Sequence, residues 1–127
     1  MLSYSELIKI DTFDKRLEYL RLWDVPHVSP RHLSLSFYKH KQWLHTREIV
    51  IKRDYASDLG MLDISIYGPI YVHHINPLTE QDILEWSDRL FNLDNLICCS
   101  LDTHNAIHYK KELDRYVERT PGDTILW

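Results

Sequence analysis

Cysteine occurs only twice in the 127 residues, and the two, Cys98 and Cys99, are neighbours. Adjacent residues on a strand point to opposite faces, so no disulfide is expected between them. With no C-x-x-C anywhere, a four-cysteine structural zinc site is excluded. No run of eighteen apolar residues is present, so no membrane-spanning helix is expected. The opening MLSYSELIKI lacks the basic start and continuous apolar stretch of a secretory signal. These absences together point to a reducing cytoplasm. Internal repeats and low-complexity stretches are missing too. What is there is ordinary for one globular domain, with 44% hydrophobic and 27% charged residues. Four Trp, eight Tyr and three Phe supply much of the expected buried area.

The net charge of −4 argues weakly against a nucleic-acid partner, but its distribution matters more. Between Arg31 and Arg53 stand six basic residues (Arg31, Lys39, Lys41, Arg47, Lys52, Arg53) against one acid, Glu48. Such a segment can track a phosphate backbone, or it can be a solvated helix face.

Hydrophobic periodicity predicts a short amphipathic helix over residues 12–23, with Thr12 as N-cap and Phe13, Leu17 and Leu20 on one face. Pro26 and Pro30 bracket an irregular connection. From Leu33 to about Asp54 the chain reads as one helix or two abutting ones. The alternation of DISIY (63–67) predicts a strand, Gly68-Pro69 a turn, and IYVHHI (70–75) the returning strand. Thr79 and Asp82 have the spacing of a capping box on a short helix. Asn92 to Asn95 turn into the strand LICCS, and Thr103 is the expected N-cap of a last helix reaching about Val117. Phe37, Trp43 and Trp86 read as core, and Asn105 as a surface or hydrogen-bonding residue.

Three stretches of the C-terminal half carry chemistry: YVHHINP (71–77), LDNLICCS (93–100) and THNAIHY (103–109). His104 and His108, at i and i+4, share one helix face and can hold one metal ion. His73 and His74 end a strand, where a regular backbone would turn them to opposite faces. Both can serve one site only if the strand ends, twists or bulges there. His27, His32, His40 and His45 belong to no motif and read as structural or surface residues.

The order His-His, Asn, His-x-x-x-His resembles the signature of the HNH endonucleases. VHHINPLT and THNAIHY, spaced around Asn95, are its most specific pieces. The likeness to small phage-encoded members extends upstream through FYKHKQWLHTREIVIKRDYASDLG and ELIKIDTFDKRLEYLRL. It implies an α+β fold, with a helical N-terminal region over residues 1–60 and a ββα-metal nuclease core over 61–127. It also implies His74 as general base, Asn95 as the brace of the loop that orients it, and His73, His104 and His108 as ligands of one divalent ion. Imidazole ligands suit Zn²⁺, Ni²⁺ or Mn²⁺ better than Mg²⁺. Double-stranded DNA is the implied substrate, cut to 5′-phosphate and 3′-hydroxyl ends. Lys39, Lys41, Arg47, Lys52, Arg53 and Lys110 are its expected contacts. A phage or prophage protein in a bacterial cytoplasm is implied, with a packaging terminase as a further partner. Two departures stand out. The cysteine pairs that bind structural zinc in many members are missing, with Ser100 and Thr103 where the second pair would be. Gly68-Pro69 replaces a Gly-Arg whose arginine is implied to contact phosphate, which either lowers DNA affinity or passes that role to Arg53 or Lys110. The rival reading is a metal-stabilised DNA-binding or packaging module with little cleavage of its own.

Overall fold

The computed structural model describes residues 1–23 and 31–109. Eight elements matter for function. In chain order they are α1 (Tyr4–Leu7), α2 (Phe13–Leu20), α3 (Arg31–Lys39), α4 (Lys41–Arg53), β1 (Tyr71–His74), α5 (Glu80–Leu84), β2 (Leu96–Cys99) and α6 (Leu101–His108). The class is α+β, with helices around one two-stranded antiparallel sheet.

The sheet partitions the core. β1 and β2 pair in regular register, Tyr71 opposite Cys99 and His74 opposite Leu96. The period of two then sends alternate β2 side chains to opposite sides. Leu96 and Cys98 join Phe37, Trp43 and Val50 of α3 and α4, with Leu78, Ile83 and Leu90. Ile97 and Cys99 join Leu7 of α1, Leu20 of α2, Leu59, Ile75 and Ile107 of α6. Both thiols are fully buried. Burial, with Asp54 nearby, pushes the Cys98 thiol up to about 12, and burial holds Cys99 well above its usual range.

Local signals set most helix starts. The Thr12 hydroxyl accepts from Lys15 N–H at the start of α2, and α3 and α4 are two abutting helices separated at His40. The Thr79–Asp82 capping box is present in full. Two expectations are corrected. Residues 63–67 form no strand. They make a single bridge, Ser57 with Ser65, while Asp58 N–H donates to the Ile64 carbonyl and Ile66 N–H to that of Ala56. The alternation reflects Ile66 packing against the core, while β1 takes its partner from β2 instead. The last helix starts three residues earlier than expected, capped by Ser100 and not Thr103. That start is latched by Asp58, whose carboxylate accepts from Ser100 N–H at 3.2 Å, Ser100 Oγ at 3.0 Å and Thr103 Oγ1 at 2.6 Å. α6 ends at His108, where Tyr109 is extended, and the expected continuation to Val117 lies outside the described residues.

The loop from Asn76 to Asn95 joins the strands and folds back on the N-terminus. Leu2 N–H donates to Asn76 Oδ1 at 3.2 Å, Asn76 Nδ2 to the Leu2 carbonyl at 2.8 Å, and Ser5 N–H to Asp94 Oδ1 at 2.8 Å. Among the described residues, no helix is long and apolar enough to cross a membrane.

Candidate metal centre

Tyr71 and His73, two apart on β1, share the sheet face that α6 covers. His104 and His108 come from one side of that helix. Their rings converge, with centroids of His73 5.3 Å from both His104 and His108, and of His104 4.7 Å from His108. One ring nitrogen from each lies within 4.8 Å of the others, an arrangement that can hold a metal ion. The Nε2 atoms of His104 and His108 are 3.2 Å apart. Neighbouring nitrogens on one tetrahedral zinc are separated by about 3.3 Å.

The chemistry of the donor set fits a cation. His73 Nε2 is buried with no hydrogen-bond partner, an orphan that a buried site does not tolerate without cause. His73 is 5% exposed and His104 3%. Burial first, then the like charges of His104, His108 and His74, hold His73 well below the usual histidine range. Burial lowers His104 to about 4. Both rings are therefore neutral at pH 7, the form that offers a lone pair to a metal. Tyr71 lies nearly parallel to the His104 ring, at 5.5 Å and 11°, and limits its rotation.

His74 faces the other way. β1 stays regular to its end, so the ring enters the aromatic cluster opposite the triad. It stacks on Trp43 at 5.0 Å and 23°, with Phe37 and Tyr38 beside it. His74 Nε2 lies 3.1 Å from the Leu90 carbonyl, which can only accept. The proton thus sits on Nε2, and Nδ1 keeps the lone pair. Burial lowers this histidine to about 4, against the opposing effects of the Leu90 carbonyl and Asp82.

Asn95 connects the two halves. Its Oδ1 accepts from Asn76 N–H at 2.9 Å and Asn76 Nδ2 at 2.8 Å, and its Nδ2 donates to the Arg89 carbonyl at 3.1 Å. It thereby fixes the loop one residue from the carbonyl that holds His74. Asn105, expected at the surface or in a hydrogen-bonding role, is buried beside the triad.

The basic residues divide. Lys39, Lys41 and Lys52 are exposed. Arg47 donates to the Ile70 carbonyl at 2.8 Å. Arg53 is engaged within the fold. Its guanidinium binds the carbonyls of Leu93 and Leu96, each at 2.6 Å, pairs with Asp54 at 2.8 Å and lies 3.6 Å over the Tyr4 ring. It is engaged in holding α4, β2 and α1 together. Lys110 lies outside the described residues.

Tyr71 and Asp58 are site-supporting residues that the sequence reading did not single out, and Trp43, read there only as core, stacks on His74. Tyr71 could have been found, because the strand period places it beside His73. Trp43 and Asp58 carry no local signal, since each acts across more than thirty residues of chain. Comparison with protein-family models, curated proteins and solved structures finds no match.

Proposed function

We propose that this chain is a metal-dependent DNA endonuclease or nickase of the ββα-metal (HNH) type. The carrying observation is the convergence of His73, His104 and His108 with a buried, unpartnered Nε2 on His73. The succession of β1, β2 and α6 around this triad agrees with the resemblance. In this reading those three imidazoles hold one divalent ion, and Zn²⁺, Ni²⁺ or Mn²⁺ suit them better than Mg²⁺. The ion supplies positive charge at the scissile phosphate when bound.

The chain's own residues do the rest. His74, neutral with its Nε2–H on the Leu90 carbonyl, takes the proton of the attacking water on Nδ1. The water oxygen bonds to phosphorus as the bond to the 3′ oxygen breaks, and the departing oxygen takes a proton from solvent, leaving 5′-phosphate and 3′-hydroxyl ends. Asn95 holds the loop that orients His74. His74 and the triad lie on opposite faces of β1, so this reading requires the end of the strand to turn before both reach one phosphate. Lys39, Lys41 and Lys52 are the exposed cations for the DNA backbone. The working compartment is a bacterial cytoplasm, with a packaging terminase as a candidate partner.

A second reading is favoured by the burial of His73 and His104 and by the divergence of His74: a DNA-binding module whose metal only holds its fold. Catalytic metal sites keep an open position, and structural ones are closed. A supercoiled-plasmid assay separates the two. Wild type and His74→Ala are incubated with EDTA, Mg²⁺, Mn²⁺, Ni²⁺ or Zn²⁺. Metal-dependent nicking by wild type, reduced at least a hundredfold or so in the variant, is expected. Folded wild type that melts lower in EDTA yet cuts with no metal would overturn the nuclease reading in favour of the module.

A further inference from the structure

Trp86 follows α5 and was expected in the core, yet it is 41% exposed. Its backbone is left-handed, with φ of 53°. The hydrogen bonds explain that. Ser87 N–H reaches the Asp82 carbonyl and Trp86 N–H that of Ile83, the pair that closes a Schellman turn. The left-handed position of such a turn is a glycine position, and a bulky residue there is an outlier. A tryptophan at this position and partly in water calls for a further reason.

The indole is also fixed in place. Its Nε1 donates to Gln42 Oε1 at 3.3 Å. Phe37, Phe91 and His40 touch it at interplanar angles of 80°, 57° and 70°. Each of these rings meets it edge-on or tilted, so among the described residues no ring stacks flat against it. Trp43 differs: it is stacked by His74 and is 3% exposed. His40, one of the residues touching Trp86, joins α3 to α4 and is flanked by the exposed Lys39 and Lys41. A part-exposed indole in contact with a histidine whose two chain neighbours are exposed lysines has the chemistry that single-stranded nucleic-acid sites use. There the cations follow the phosphates and an aromatic face takes a base.

We propose that Trp86 is a stacking platform for one unpaired base of single-stranded DNA, with Lys39 and Lys41 on the adjacent phosphates. The proposal rests on DNA as the partner in the reading above, and it names the form of DNA engaged: a locally opened strand.

The test is binding of fluorescein-labelled dT12, with hydrolysis-resistant phosphorothioate linkages, by the full metal-loaded chain. Fluorescence anisotropy is compared for wild type, Trp86→Ala, Trp86→Phe and Lys39→Gln/Lys41→Gln, with the dT12·dA12 duplex in parallel. Trp86→Ala is expected to weaken single-strand binding by about fivefold to 150-fold, the alanine cost of one stacked base. Its duplex affinity should change less than about twofold, and Trp86→Phe should keep most of the single-strand affinity. The lysine variant is expected to reduce the salt slope of single-strand binding by about 0.7 for each contact removed. With unlabelled dT12, quenching of wild-type tryptophan emission should be largely lost in Trp86→Phe. This readout decides the matter if Trp86→Ala fails to melt cooperatively. Single-strand affinity unchanged in folded Trp86→Ala, equal losses on both DNA forms, or quenching that survives in Trp86→Phe would each overturn the proposal. Plasmid cleavage is scored separately. Cutting without a Trp86 effect sinks only the platform, and a Trp86 effect without cutting sinks only the nuclease.

Discussion

Asn95 Oδ1 accepts two hydrogen bonds from Asn76, one from its main-chain N–H at 2.9 Å and one from its side-chain amide at 2.8 Å. This side-chain oxygen closes the connection between the two strands together with the Ile75 N–H, which donates to the Asn95 carbonyl at 2.8 Å. Asn95→Ala leaves Asn76 N–H and the Arg89 carbonyl without these partners, at about 1–3 kcal/mol for each buried group. A loss of about 2–4 kcal/mol in urea unfolding is expected. A loss below about 1 kcal/mol would show that the brace is dispensable.

The burial of His74 makes stability depend on pH. Its pKa is about 4 in the fold and 6.5 in the unfolded chain, so the unfolded state takes up the proton first as pH falls. The contribution is complete above about pH 6.5 and is lost between there and about pH 4, roughly 3 kcal/mol in all. His73 and His104 act with the same sign. Urea unfolding in EDTA at several pH values should show this decline. His74→Phe should reduce the slope by about one proton, and an unchanged slope would contradict the burial of a neutral His74.

Removing a ligand and removing the metal should have different consequences. In chelator, His73→Leu takes away an unpartnered buried nitrogen, so the variant should match or exceed the wild type in melting temperature. With metal supplied, its content should fall from one ion per chain to none, by elemental analysis after gel filtration. A variant that still retains one tightly held ion would show that His73 is not a ligand.

Arg53 should prove to be a structural residue. Arg53→Ala strips partners from the Leu93 and Leu96 carbonyls and from Asp54, and should cost about 2–4 kcal/mol. Lysine should restore little of this, because it cannot reproduce the planar fork. Any loss of DNA affinity should track the loss of folded protein. Weakened binding with unchanged stability would return Arg53 to the DNA surface.

What the sequence disclosed was what neighbouring residues decide. The Thr79–Asp82 capping box, the strand ending at His74 and the divergence of its two histidines all follow from spacings of a few residues. The Asp63–Tyr67 stretch misled because alternation describes one buried face and says nothing of a pairing partner. Thr103 looked like a cap, but Asp58, more than forty residues away, orders the hydroxyls of Ser100 and Thr103 and so moves the helix start. Trp86 was assigned to the core by residue type, whereas the turn after α5 holds it at the surface. The triad's common face on α6 was visible from its spacing; the aromatic wall around His74 was not, because its members come from distant parts of the chain.

The stitching of Leu2 and Ser5 to Asn76 and Asp94 sets an order on the birth of the protein. Contacts spanning 74 and 89 residues cannot form until Asn76 and Asp94 have left the ribosome. α2 and α4 must wait, with their apolar faces uncovered, for the strands they flank. His104 and His108 emerge last of the four motif histidines. The nascent chain therefore has no complete triad until His108 has emerged.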